Sequence, residues 1–186
     1  LRNALNELDI ENNLINSPEL FERYEKIIIP GVGEYSNAIS KIRKKGFEKE
    51  IKKFALLNKK ILGICVGMQI LSEVGHEGGY NKGLELIEGE VGLISNSSNI
   101  SHVGWNNITI RKESRLFSGI KDNTDFYFVH SYCLNLKNEK EISTSINFYN
   151  KQITSSIEKE NIFGVQFHPE KSLISGLKIL KNFSDL

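Results

Sequence analysis

The opening residues, "LRNALNEL", set Leu1, Ala4, Leu5 and Leu8 on one stripe of a helix, with polar positions between them. "NNLINS" predicts a short strand, and "SPELFERY" a helical turn opened by its proline. "KIIIP" is a β-branched run stopped by a proline, the pattern of a buried parallel strand. "SNAISKIRKKGFEKEIKKFALLN" carries helical spacing in two segments broken near Gly46. "KKILGI" reads as the next strand and "CVGMQILSEV" as a helix. This alternation predicts an α/β fold: an open, mostly parallel sheet with helices on both faces.

The second half has a different rhythm. "LELIEGEVGLI", "NNITI", "DFYFVHSYCLNL", "EISTSINFYN", "KQITSSIE" and "NIFGVQF" are short strands separated by turn residues. "YNKQ" predicts a hairpin between two of them, and "SLISGLKILKNF" a closing helix. No repeat or long linker interrupts the chain, so a single domain over residues 1–186, with an added strand-rich part in its second half, is expected.

Composition narrows the function classes. The chain has 186 residues, 39% of them hydrophobic, and a formal net charge of +1. A balanced charge offers nothing to attract nucleic acid or an anionic membrane. No apolar run approaches the roughly 18 residues of a membrane span. Cys65 and Cys133 are the only two cysteines, too few for a disulfide framework, so a cytoplasmic setting is expected. No two of the four histidines stand three or four residues apart, so no metal site is expected. Because "LRNALNEL" reads as the middle of a helix and begins with Leu, a native strand is expected to precede Leu1.

Two motifs carry chemistry. "GICVG" places Cys65 between Gly63 and Gly67, after a strand and before a helix. That is a nucleophile elbow with Cys in place of Ser. Glycines on either side leave room for a strained turn, and a helix N-terminus beside the sulfur favours its thiolate. The N–H of Val66 is then placed to donate to an oxyanion. A buried structural cysteine fits the same five residues. In "QFHPEKS", Pro169 keeps His168 extended, and His168 and Glu170 fall on one side at a strand's end. A carboxylate beside one imidazole nitrogen fixes the tautomer and leaves the other to move protons. An exposed loop fits this tripeptide alone; a cysteine elbow and this pair in one chain point to nucleophilic catalysis.

"GICVGMQ" and "FHPE" together resemble the class I, triad-type glutamine amidotransferases. "PGVG" at 30–33, "GWN" at 104–106 and "FVHSY" at 128–132 make the chain similar, over essentially its whole length, to the glutaminase subunits of imidazole glycerol phosphate synthases. The resemblance implies that Cys65 attacks the side-chain amide of L-glutamine, with His168 handling protons and Glu170 orienting it. It implies oxyanion donors at Val66 and in the "PGVG" loop, at Val32 or Gly33. The glycines flanking Val32 ease a peptide flip, so this loop is expected to be a switch set by a partner. Gln69, Glu77, His130, Ser131 and Tyr132 would frame the glutamine. Trp105, Asn106, Tyr127 and Lys171 match positions near the interface with a separate (β/α)8-barrel cyclase that receives the ammonia. No cofactor is implied. Cys133, Tyr35 and Phe47 read as packing residues.

The chain departs from the family pattern in three places. The strand and glycine-containing loop that usually open these subunits are absent, Ser101 replaces a usual proline, and "ISNSSNI" is plainly polar. The last two leave a second expectation open, a paralogue supplying ammonia for surface-sugar amidation. An expectation from another class is a catalytically silent binding module of the same fold. The presence of all three triad residues argues against it. "FHPE" likewise argues against a related peptidase-like cysteine hydrolase.

Overall fold

The structure, a computed structural model, describes residues 1–95 and 100–186. The centre of the "ISNSSNI" segment, 96–99, lies outside the described residues.

In chain order the elements are α1 (Arg2–Glu7), β1 (Lys26–Gly31), α2 (Tyr35–Lys44), α3 (Phe47–Leu56), β2 (Lys60–Cys65) and α4 (Val66–Gln69). Then come β3 (Val74–Gly75), β4 (Asn81–Lys82), β5 (Gly89–Leu93), β6 (His102–Asn107), β7 (Thr109–Ile110), β8 (Asp125–His130) and β9 (Tyr132–Leu136). The chain closes with β10 (Ile142–Phe148), β11 (Lys151–Lys159), β12 (Ile162–Val165) and α5 (Leu173–Asp185).

The main sheet has the order β1-β2-β12-β11-β10-β7. β1, β2 and β12 are mutually parallel, and the remaining pairings are antiparallel. Helices flank it: α3 packs on β2, and α5 sets Phe183 against Phe163 of β12 at 6.1 Å. The strand-rich part adds a four-stranded sheet, β4-β3-β5-β9, and the antiparallel pair β6-β8. The α/β class read from the sequence is the one found, with parallel pairing concentrated in the three strands that lead to the site.

Local signals act as expected at several points. Gly46 takes φ 73° between α2 and α3, a conformation glycine adopts freely. Tyr149 and Asn150 both have positive φ and close the β10–β11 hairpin, with Phe148 opposite Lys151.

Two elements differ. "NNLINS" forms no strand: Leu14 is 76% exposed, so its apolar pair buries too little to hold one. The helix after Cys65 lasts one turn rather than running through "CVGMQILSEV". The carbonyls of Ile70, Leu71 and Ser72 instead accept from the backbone N–H groups of Leu84, Leu86, Ile87 and Glu85. A returning segment has taken the acceptors that a longer helix would use.

Candidate active site

β2 and β12 run parallel with Ile64 opposite Val165, so the residues after each strand emerge side by side. Cys65 takes φ 55° and ψ −116°, a strained turn for a residue with a side chain. The glycines explain how the chain reaches it. A Cβ on Gly63 would stand 2.6 Å from the Gly67 carbonyl oxygen, and one on Gly67 would stand 1.8 Å from that of Ile29. Gly31 is part of the same contact, since its Cβ would lie 2.4 Å from the Gly67 nitrogen. Within "PGVG", therefore, Gly31 is needed for close packing, whereas Gly33 is the one with positive φ, at 92°.

The other arm is fixed by aromatic packing. Phe167 is fully buried, stacked 4.1 Å from Phe126 of β8 and edge-on to Phe128 at 5.7 Å. Its neighbours Gln166 and His168 then share the opposite side of the extended chain. His168 donates its backbone N–H to the Tyr127 carbonyl at 2.9 Å. Ser172 closes the turn, donating its hydroxyl to the His168 carbonyl at 2.7 Å and accepting from the Tyr127 N–H at 3.0 Å. The His168 Nδ1 and Glu170 Oε1 are 2.8 Å apart, the side-by-side placement expected from the proline between them.

The electrostatics follow from this geometry. The Cys65 sulfur first, and Glu170 second, hold the His168 imidazole up to a pKa of about 9 against the opposing effect of burial. Burial pushes the Glu170 carboxyl upward, yet the hydrogen bond and charge of His168 leave it below its ordinary value. At neutral pH the pair is an imidazolium held by a carboxylate.

A chain of amides also reaches the sulfur. The Gln69 amide donates to the Tyr132 carbonyl and to Gln166 Oε1, both at 3.0 Å. Gln166 Nε2 lies 3.7 Å from Cys65 Sγ, and the Val129 carbonyl oxygen lies 3.8 Å from the same sulfur. With its amide N–H groups engaged, Gln69 has its buried Oε1 left as an acceptor for a ligand. Glu77 accepts from the Tyr35 N–H at 2.9 Å. Burial raises the Glu77 carboxyl above its ordinary value, partly offset by that N–H and reinforced by Glu34.

His130 is spent on structure. Its Nδ1 faces the Tyr132 carbonyl at 2.8 Å and its Nε2 faces His102 Nδ1 at 3.1 Å; Asn106 Nδ2 lies 3.3 Å from His102 Nε2. Since the carbonyl only accepts, both rings read as neutral Nδ1–H tautomers, with Asn106 donating at the end. Burial lowers both to a pKa of about 4. Ser131 Oγ meets Ser101 Oγ at 2.7 Å, so the serine that departs from the family pattern touches the site's wall.

These groups enclose a cavity of about 160 Å³ lined by Val32, Gly33, Cys65, Val66, Gln69, Glu77, Val129, His130, Ser131, Tyr132, His168 and Lys171. Glu170 stands behind His168. Of the residues expected at the partner interface, Trp105 and Tyr127 face each other across β6 and β8 with rings 5.8 Å apart, and Lys171 lies over the Tyr127 ring. Trp105 is half exposed. Asn106, half-buried, sits differently from Trp105. Adjacent strand residues point to opposite faces, so Asn106 turns its amide toward His102 and Asn147 while Trp105 points out. The outward neighbours are Val103 and Val129, opposite one another on the two strands and exposed. Sequence reasoning passed over them, and also over Gln166. The signal for Gln166 was its position two before His168 on an extended chain. Cys133 and Tyr35 are buried as read. Among the described residues, no group of three or more His, Cys, Asp or Glu side chains is placed to hold a metal ion. None of the described helices is long and apolar enough to cross a membrane.

The protein family described as class-I glutamine amidotransferase matches residues 1–185. The chain belongs to this family. Among curated members it is 41% identical over 183 residues to imidazole glycerol phosphate synthase subunit HisH of Caldanaerobacter subterraneus subsp. tengcongensis, covering 98% of this chain and 90% of that one. It is 40% identical over 186 residues to subunit HisH 1 of Campylobacter jejuni subsp. jejuni, with 98% and 92% covered. Among solved structures, this amidotransferase is similar in fold to PurLQS from Thermotoga maritima at a TM-score of 0.74 and 19% identity, covering 99% of this chain and 91% of that one.

Proposed function

We propose that this amidotransferase is the glutaminase subunit of imidazole glycerol phosphate synthase, hydrolysing L-glutamine through Cys65, His168 and Glu170 and passing ammonia to a cyclase. The observation that carries the chemistry is the convergence of the Cys65 sulfur and the carboxylate-held His168 on one small cavity. The pathway rests on the HisH relatives, which match nearly end to end.

Each step uses a group already in position. The Cys65 thiolate adds to the glutamine amide carbon, and the oxyanion forms against the N–H of Val66 and one from Val32 or Gly33. The carbon–nitrogen bond breaks as His168 gives its proton to the departing nitrogen, releasing ammonia and leaving a glutamyl thioester. Water then attacks the thioester, His168 takes its proton, and the carbon–sulfur bond breaks to release glutamate. Glu170 holds the imidazole throughout. The free oxygens of Gln69 and Glu77 are acceptors for the ammonium group of the substrate. His130, Ser131 and Tyr132 shape the opposite wall, with Tyr132 acting through its carbonyl.

The outer face of β6 and β8 is the partner surface. Val103, Trp105 and Val129 form an exposed apolar patch around the half-buried Tyr127, whose ring lies under Lys171. Val129 joins the two ends of the process: its side chain lies on this face and its carbonyl lies at the sulfur. Ammonia is therefore released directly behind the docking surface. The partner in this reading is a separate (β/α)8-barrel subunit, the complex is cytoplasmic, and residues 1–186 form one domain. The "PGVG" loop completes the oxyanion site when that partner binds.

Glutamate release, measured for the chain alone and with a cyclase subunit and its acceptor, tests this. Low turnover alone and a strong rise with partner are expected. Full turnover alone would refute the loop switch, and no glutamate under any condition would refute the glutaminase.

A further inference from the structure

The Gln166 amide is fully buried beside the nucleophile. Burying an amide costs free energy unless its hydrogen bonds are met, and an apolar side chain would fill the same space at lower cost. Its orientation can be deduced. The Tyr132 carbonyl is an acceptor only, so the Gln69 group facing it at 3.0 Å must be the NH2. That same NH2 faces Gln166 at 3.0 Å, so the atom of Gln166 that meets it must be the oxygen. The remaining end of the Gln166 amide, its NH2, therefore faces Cys65 Sγ at 3.7 Å. One backbone carbonyl sets both amides, and the second is left with a donor aimed at sulfur.

We propose that Gln166 is a further residue of the glutaminase site, donating to the Cys65 sulfur and stabilising its thiolate alongside His168. The proposal rests on Cys65 being the nucleophile. A donor matters most when the sulfur is charged, because hydrogen bonds to ionised groups are the stronger ones. The arrangement gives the thiolate two partners of different kinds. His168 exchanges a proton during the reaction, while the amide keeps its own and holds the sulfur in place. Gln69 orients Gln166, so it contributes to the nucleophile as well as to substrate binding.

The test is iodoacetamide alkylation of Cys65 in the full chain between pH 5 and 9, read by peptide mass spectrometry, in wild type, Gln166→Met and Gln166→Leu. Cys133 serves as an internal reference, since burial pushes its thiol up to about 11. Both variants are expected to alkylate about tenfold more slowly at neutral pH, the low end for losing a hydrogen bond to a charged group. Their rates should recover as pH rises. A change in access scales the whole profile, whereas loss of a donor moves its midpoint upward. An unmoved midpoint in a folded variant would overturn the proposal. If neither variant folds, Gln69→Met releases the Gln166 amide and is expected to give the same alkaline shift, its absence again overturning the proposal. A chain with the expected profile that releases no glutamate contradicts the glutaminase reading, and with it the catalytic use of the contact, while the donation from Gln166 to the Cys65 thiolate stands.

Discussion

A Cβ on Gly67 would stand 1.8 Å from the carbonyl oxygen of Ile29, so α4 rests directly on the backbone of β1. The oxygen belongs to main chain and has no flexible end to move. Contact between these two residues brings the Cys65 turn against the start of the "PGVG" loop, placing nucleophile and proposed oxyanion donors on one wall. Gly67→Ala is expected to destabilise the fold by about 3 kcal/mol, at the upper end for an overpacked core. Denaturant unfolding measures this. Stability within about 0.5 kcal/mol of wild type, the usual range for harmless surface changes, would mean that the close contact is not required.

His168 supplies a pH dependence with a defined direction. Its imidazole is raised to about 9, chiefly by the Cys65 sulfur and then by Glu170, so it is protonated at neutral pH. The proton needed by the departing nitrogen is present below that value and lost above it. The kcat/KM for glutamine is expected to hold through neutral pH and fall as pH rises through about 9. Glu170→Gln removes one of the two contacts that raise the imidazole, so the alkaline limb should move to lower pH. A pH–rate profile of both proteins reads it, and superimposable limbs would contradict the role given to Glu170.

His102 and His130 act on stability instead. Both are lowered from 6.5 to about 4 by burial, so the unfolded chain takes up their protons first. The stability they contribute is present above pH 6.5 and lost as pH falls toward 4. The slope is up to about 1.4 kcal/mol per pH unit for each imidazole. His168 works in the other direction, losing its contribution as pH rises from 6.5 through about 9. Denaturation across this range should show a maximum near pH 6.5. His102→Phe is expected to flatten the acid side. An acid slope unchanged in that variant would rule out the buried neutral pair.

Much of the site was legible because its signals are local. The glycines around Cys65, the proline that keeps His168 extended and the two-residue spacing to Glu170 are covalent facts that dictate short-range geometry. Strand order placed both motifs at strand ends, and the parallel pairing of β2 with β12 brought them together. What stayed hidden depends on distant partners. The helix after Cys65 goes no further because residues 84–87 claim the carbonyls of Ile70, Leu71 and Ser72. The amides of Gln69 and Gln166 point where they do because Tyr132 offers a carbonyl. Trp105 and Asn106 were grouped by their match to family positions, and strand alternation turns their side chains to opposite faces. A family resemblance identifies positions, and the period of the backbone decides which way each one points.

The most direct measurement is synthesis by the complex with a cyclase partner, using Cys65→Ala and either glutamine or free ammonia as nitrogen source. Glutamine-dependent synthesis should disappear while ammonia-dependent synthesis continues at the wild-type rate, since the cyclase and the proposed docking face are untouched. Undiminished use of glutamine by Cys65→Ala would show that the nucleophile lies elsewhere.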